Sequence, residues 1–196
     1  MNTIIHISGP SGSGKTFLGN KLKDTFGSKI VVKDLDELLD EHLDNYFGKK
    51  SFTYNDINEE EYQKYINTFI DKQKKPIIFV GLNDNFVDFY PKRKDIYYNL
   101  FSKYNYYIKI DDCIIIKQKC LRFFDNIKND KIMMDNLINN NKLFIKTISK
   151  AINTECNSKY IKKWINKWEK DYKKMNYKFM SRENIYKSIV KIINKL

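Results

Sequence analysis

Lys15 and Thr16 stand directly behind three glycines, Gly9, Gly12 and Gly14, which with Pro10, Ser11 and Ser13 make the run GPSGSGKT. The chain has seven glycines in all, so three within six positions is a concentration that needs a reason. The spacing G-x-x-x-x-G-K-[ST] suits one chemistry, the holding of a phosphate chain. Glycines let the backbone curl until successive N–H groups converge on phosphate oxygens. A helix beginning at Lys15 adds its positive end to that nest. Lys15 then reaches the β- and γ-phosphates, and the Thr16 hydroxyl is placed to ligate Mg²⁺. The expected ligands are ATP and Mg²⁺ on residues 9 to 16.

Asp34 and Asp36 are the next residues whose spacing carries chemistry. Two carboxylates after a strand could orient an acceptor hydroxyl, take its proton, or hold Mg²⁺ through water. The structural alternative is that Asp34 caps the helix that follows. Only three arginines occur, Arg93, Arg122 and Arg182. A planar guanidinium is the preferred clamp for a transferring phosphoryl group. Arg122 is expected in the site, Arg93 is a candidate contact for an acceptor phosphate, and Arg182 reads as surface. His6, inside an apolar run, reads as a packed core side chain.

The elements that must position these groups alternate along the chain. TIIHIS (3 to 8) is a short apolar run ahead of the glycines, as a buried strand requires. Leu18, Leu22 and Phe26 recur at helical spacing up to Gly27. KIVVK (29 to 33) reads as a second strand and DLDELLDEHLDNY as a helix. Asn58 and Glu61 form a capping pattern for a helix striped by Tyr62, Tyr65, Ile66, Phe69 and Ile70. PIIFVG (76 to 81) is a third strand. A helix is expected from about Pro91 to Tyr104, then the strand YYIKI (106 to 110). From Asp112 a helix would carry Cys113, Ile116, Cys120, Phe124 and Ile127 on one face. Residues 128 to 158 read as a polar insertion. Ile161, Trp164, Ile165, Trp168 and Tyr172 mark a further helix, with both tryptophans as core anchors. NYKFM (176 to 180) is a fifth strand before a helix from Arg182. Strict alternation implies an α/β domain: a five-stranded, mainly parallel sheet with helices on both faces and a helical insertion.

GPSGSGKT after a first strand resembles the small P-loop kinases: nucleoside and nucleotide monophosphate kinases, and the shikimate and gluconate kinases. The length and strand–helix order match over most of the chain. Asp34-Leu35-Asp36 is similar to the Asp-x-Asp of the shikimate-kinase branch. The resemblance implies a P-loop NTPase fold, a lid within 128 to 158 and Arg122 at its base. It also puts the loop FMSREN, after the fifth strand, near the purine. The chain departs from the pattern at the third strand, where nucleotide kinases often carry a Mg²⁺-assisting aspartate. Here Gly81 occupies that place and the nearest carboxylate is Asp84, so Asp34, Asp36 or Asp84 must take the role. The Asp-Gly and Pro-Arg signature of adenylate kinases and the Glu-Arg-Ser of deoxynucleoside kinases are missing, which leaves the acceptor open. The implied activity is transfer of the γ-phosphate to a nucleoside, nucleotide or other small hydroxyl compound.

Composition bounds these readings. In 196 residues, 42% hydrophobic and 31% charged side chains describe a folded globular chain rather than a disordered one. No apolar run approaches the roughly 20 residues of a membrane span, so a cytosolic protein without membrane contact is expected. Cys113, Cys120 and Cys156 are too few and too widely spaced for a disulfide framework or zinc knuckle, and read as buried thiols. The net charge of +12 is unevenly placed: residues 111 to 196 carry twenty basic and nine acidic side chains. Such a field attracts polyanions, nucleic acid as well as nucleotides. The alternatives to a small-molecule kinase are therefore a nucleic-acid-associated P-loop protein, such as a polynucleotide end kinase, and a binding module without turnover.

Overall fold

A computed structural model describes residues 2–47, 57–83 and 97–196. Asp84 and Arg93 lie outside the described residues, as does most of the helix expected from Pro91. By its internal contacts the chain divides into two compact units, 1–9 with 14–108 and 177–196, and 10–13 with 109–176.

The first unit is built on five parallel strands, β1 (Ile4–Ser8), β2 (Val31–Asp34), β3 (Ile77–Val80), β4 (Tyr104–Ile108) and β5 (Lys178–Met180). They lie in the order β2-β3-β1-β4-β5, with β1 at the centre. Central parallel strands are buried on both sides, and β1 and β3 are buried at every position, His6 and Ser8 included. Side-chain alternation sorts the two faces. Ile5, Ile7, Ile78 and Val80 point to the layer holding Leu18 and Leu22 of α1 (Lys15–Phe26) and Ile185 and Ile189 of α8 (Arg182–Ile193). Ile4, Ile77 and Phe79 point to α2 (Leu35–Phe47) and α3 (Glu59–Lys72), through Leu35, Leu38, Leu43, Tyr62 and Ile66. Helix, sheet and helix make the three-layer αβα arrangement expected of the sequence. Gly19 lets α1 approach closely, since a Cβ there would meet Val80 and Val32 at 3.1 and 3.2 Å.

The caps agree with the sequence: Asn58 accepts from the amides of Glu60 and Glu61, and α1 stops at Gly27, whose φ is 52°. One boundary does not agree. Residues 97–103 are not helical, and β4 begins at Tyr104 rather than 106. Two side-chain amides take the main-chain groups that a helix would need for itself. Asn83 donates to the Tyr98 carbonyl and accepts from the Tyr98 amide, at 2.6 and 3.1 Å. Gln63 does the same at Asn99, at 2.9 and 2.8 Å. Phe101, at φ 53°, then turns the chain into β4.

The second unit holds α4 (Asp112–Asn129), α5 (Lys131–Asn139), α6 (Asn141–Glu155) and α7 (Ser158–Lys174). Residues 128–158 are thus mostly helical, with Asp130, Asn140 and Asn157 capping successive helices. Its core is small: Ile115, Ile161 and Ile165, with Ile110 and Ile116 against them. The stripe expected on α4 is not the one buried. Ile115 is inside, whereas Cys113 and Phe124 are exposed. None of the three cysteines forms a disulfide among the described residues, but Cys113 is exposed and the other two are half-buried, so they are not core thiols. A heptad spacing places residues on one face without saying which face is covered; the bulkier, β-branched Ile115 takes the interior. Trp164 and Trp168 are half-buried rather than core anchors. No described helix is long and apolar enough to cross a membrane.

Candidate nucleotide and acceptor site

The loop between β1 and α1 has the backbone that its glycines were expected to supply. Gly12 and Gly14 sit at φ 86° and 85°, in the left-handed region that side chains with a Cβ seldom enter. Ser13 donates its amide to the Pro10 carbonyl at 3.0 Å, closing a tight turn, and Leu18 N to Gly14 O begins the helix. The first amides of any helix lack intrahelical partners. At α3 to α8 a side chain of Asn, Asp or Ser fills that need. At α2 Asp34 does so, accepting from the Asp36 amide at 3.0 Å. α1 differs from the other described α-helices in that its cap is Gly14 and no side chain closes it; like α5, α6 and α7, it has no acid in its first turn. The uncapped amides and helix dipole leave a nest for an anion.

Thr16 and Asp34 meet in the first unit. The Thr16 hydroxyl donates to Oδ2 of Asp34 at 3.1 Å, while Oδ1 of the same carboxylate holds the Asp36 amide. Asp34 thus caps α2, the structural alternative, and also faces Thr16. Lys15 donates to the Gly9 carbonyl at 2.8 Å, which folds its side chain back along the loop. These are hard oxygen donors, a hydroxyl and a carboxylate, beside a cradle that glycine keeps open, and they fit Mg²⁺ on a phosphate chain. Asp36 is exposed at the start of α2. Desolvation of its carboxyl by the surrounding chain, and then the neighbouring Asp34 charge, hold it above the usual carboxylate range, while Lys15 opposes the shift.

Gly81 explains the missing aspartate at the end of β3. Its φ is 141°, and a Cβ there would come within 2.9 Å of Leu35 Cβ and 3.3 Å of the Leu35 amide. The start of α2 occupies that volume. Behind it, His6 is fully buried and donates from Nε2 to the Gly81 carbonyl at 3.0 Å; Nδ1 must then accept, taking the Tyr177 hydroxyl at 2.5 Å. Burial, partly offset by the Gly81 bond, pushes the His6 imidazole down to about 4, and Lys15 adds to the fall.

Phe17 escaped the sequence reading as a site residue, and Arg182, read as surface, entered it only as part of the loop FMSREN that the resemblance puts near the purine. Arg182 is exposed, as expected, yet it lies against the loop: a Cβ on Gly14 would meet its Nη1 at 2.6 Å. Its guanidinium is 5.8 Å from the ring of Phe17, which is 65% exposed directly after Thr16. The visible signal was an aromatic off the Leu18 and Leu22 stripe; nothing in the sequence spacing joined it to Arg182. In the second unit, Arg122 is exposed on α4 and donates to the Ser11 hydroxyl at 3.5 Å, and a Cβ on Gly12 would meet Gln118 Oε1 at 3.4 Å.

No protein-family model matches the sequence, and no curated protein matches it. Among solved structures, a tRNA delta(2)-isopentenylpyrophosphate transferase from Staphylococcus epidermidis is similar over 100% of both chains, with 14% identity and a TM-score of 0.54. At that identity the likeness speaks for the fold alone, a three-layer αβα arrangement around a parallel sheet. An uncharacterized protein from Eubacterium ventriosum aligns over 100% of both chains with 15% identity and a TM-score of 0.43, too weak a likeness to argue from.

Proposed function

We propose that the chain is a Mg²⁺-dependent phosphotransferase that moves the γ-phosphate of ATP to a small hydroxyl acceptor. The observation that carries the reading is the Thr16–Asp34 contact at 3.1 Å beside an uncapped, glycine-turned helix start. The amides of residues 9 to 16 would hold the phosphates, and Lys15 would swing from the Gly9 carbonyl onto the β- and γ-oxygens. Thr16 and Asp34 would hold Mg²⁺, replacing the carboxylate that Leu35 excludes from residue 81. The metal would supply charge neutralisation on the transferring group. Phe17 and Arg182 offer an aromatic face and a planar cation to the base at the open end of the cradle.

Asp36 would receive the acceptor. Its raised proton affinity makes it a better base than an ordinary carboxylate. The acceptor oxygen bonds to the γ-phosphorus as the bond to the β-phosphate oxygen breaks. The hydroxyl proton passes to Asp36, and ADP leaves with the bonding electron pair. Arg122, already reaching the loop at Ser11, would add positive charge to the phosphate oxygens. Asp84 and Arg93 remain candidate acceptor contacts on their sequence positions.

A second reading, with a polynucleotide 5′-hydroxyl as acceptor, is favoured by the charge of residues 109–176, which carry sixteen basic and eight acidic side chains. A screen of nucleosides, nucleotides, small polyols and 5′-hydroxyl oligonucleotides with γ-labelled ATP decides between the two. Label on a small acceptor supports the first reading and label on an oligonucleotide the second. ATP binding with no acceptor labelled leaves only a binding module.

A further inference from the structure

α7 carries a row of lysines, Lys159, Lys163, Lys167, Lys170 and Lys174, at steps of four, four, three and four residues. At the helical rise they line one face over about 22 Å. Like charges at this spacing repel and cost helix stability. Among the described ion pairs, Lys174 has Asp171 at 3.7 Å and Lys109 engages Glu169. Along one edge of the row runs an aromatic ladder. Tyr160 and Trp164 are 5.8 Å apart, Trp164 and Trp168 are 5.7 Å apart, and Lys167 sits 5.5 Å from the Trp164 ring. Tyr160 is 37% exposed and both tryptophans are half-buried.

The rest of the helix narrows the choice of partner. Its apolar residues Ile161, Ile165 and Tyr172 are buried inward, so α7 has no apolar face to lay into a lipid surface. What faces outward is a line of point charges at intervals of about 6 Å beside ring edges. That pairing of cations with rings suits a strand of phosphodiesters whose bases stack. α6 in the same unit repeats the spacing with Lys142, Lys146 and Lys150. We infer that the lysine row and aromatic edge of α7 form a binding surface for single-stranded nucleic acid. The inference stands on α7 alone and survives or fails independently of phosphotransfer at the glycine loop.

Both tryptophans of the chain lie on α7, so intrinsic tryptophan emission reports on this helix directly. The full-length protein is titrated with a 12-nucleotide oligouridylate at several salt concentrations, following tryptophan quenching and the anisotropy of a labelled copy. Binding is expected to quench the tryptophans and to weaken with salt. The triple variant Lys159→Gln, Lys163→Gln, Lys170→Gln is expected to lose at least tenfold in affinity. Its salt slope should fall by about two, three contacts at roughly 0.7 each. A charge-matched control, Lys72→Gln, Lys74→Gln, Lys75→Gln on the exposed end of α3 and beyond, is expected to change affinity less than twofold. Tyr160→Leu should weaken binding severalfold with the salt slope kept. Equal losses in the two triple variants, binding without tryptophan quenching, absence of binding at low salt, or preferential binding to anionic lipid vesicles would each overturn the inference.

Discussion

Leu35 stands where a side chain on residue 81 would have to go: a Cβ on Gly81 would lie 2.9 Å from Leu35 Cβ. This one relationship moves the candidate metal carboxylate from the end of β3 to the end of β2. Asp34 is the residue before Leu35, and the start of α2 that excludes a side chain at 81 also directs Asp34 to Thr16.

Restoring an aspartate at 81 should therefore harm the protein. Gly81→Asp forces a Cβ into backbone and side chain at a φ of 141°, and overpacking of this kind costs about 2 kcal/mol or more. Chemical denaturation should show the loss, and ATP turnover should not rise.

Asp34 and Asp36 should separate in their effects. Asp34→Asn keeps an acceptor for the α2 cap but weakens the metal seat, so the Mg²⁺ concentration needed for turnover should rise. Asp36→Asn removes the proton acceptor, and kcat should fall by about 10²- to 10⁴-fold with ATP affinity little changed. Because the fold disfavours the ionised form of Asp36, this variant should be more stable than the parent at neutral pH. Loss of ATP binding in Asp36→Asn would place Asp36 in the donor site instead.

His6 sets an acid limit. Its imidazole is held at about 4 in the fold against an unfolded value of 6.5. Between those values the unfolded chain binds a proton that the folded chain refuses, so stability falls as pH falls from 6.5 towards 4. Above 6.5 both forms are neutral and the contribution is complete; the window spans about 3 kcal/mol. Denaturation midpoints measured from pH 7 to pH 4 should show this slope, and His6→Gln should flatten it, whatever its stability at pH 7.

The glycine loop and the strands were legible because their signals are local. GPSGSGKT, the alternating strands and the Asn58 cap each lie within a few neighbouring residues. Arg182 and Phe17 come together across 165 positions, and no local spacing encodes that. The helix expected up to Tyr104 failed because Asn83 and Gln63 supply partners to Tyr98 and Asn99 from elsewhere in the chain. On α4 the heptad pattern was real, but burial chose Ile115, one position before Ile116 of the expected stripe.

In the proposed phosphotransfer, residues 9 to 16 and Asp34 hold a Mg²⁺-bound nucleoside triphosphate. Calorimetric titration of ATP with and without MgCl₂, on the parent chain, Lys15→Ala and Asp34→Asn, measures this binding itself. Mg²⁺ is expected to strengthen binding, Lys15→Ala to weaken it at least tenfold, and Asp34→Asn to lose the Mg²⁺ gain. Absence of ATP binding by the parent chain, or an affinity indifferent to Lys15, would overturn the proposal.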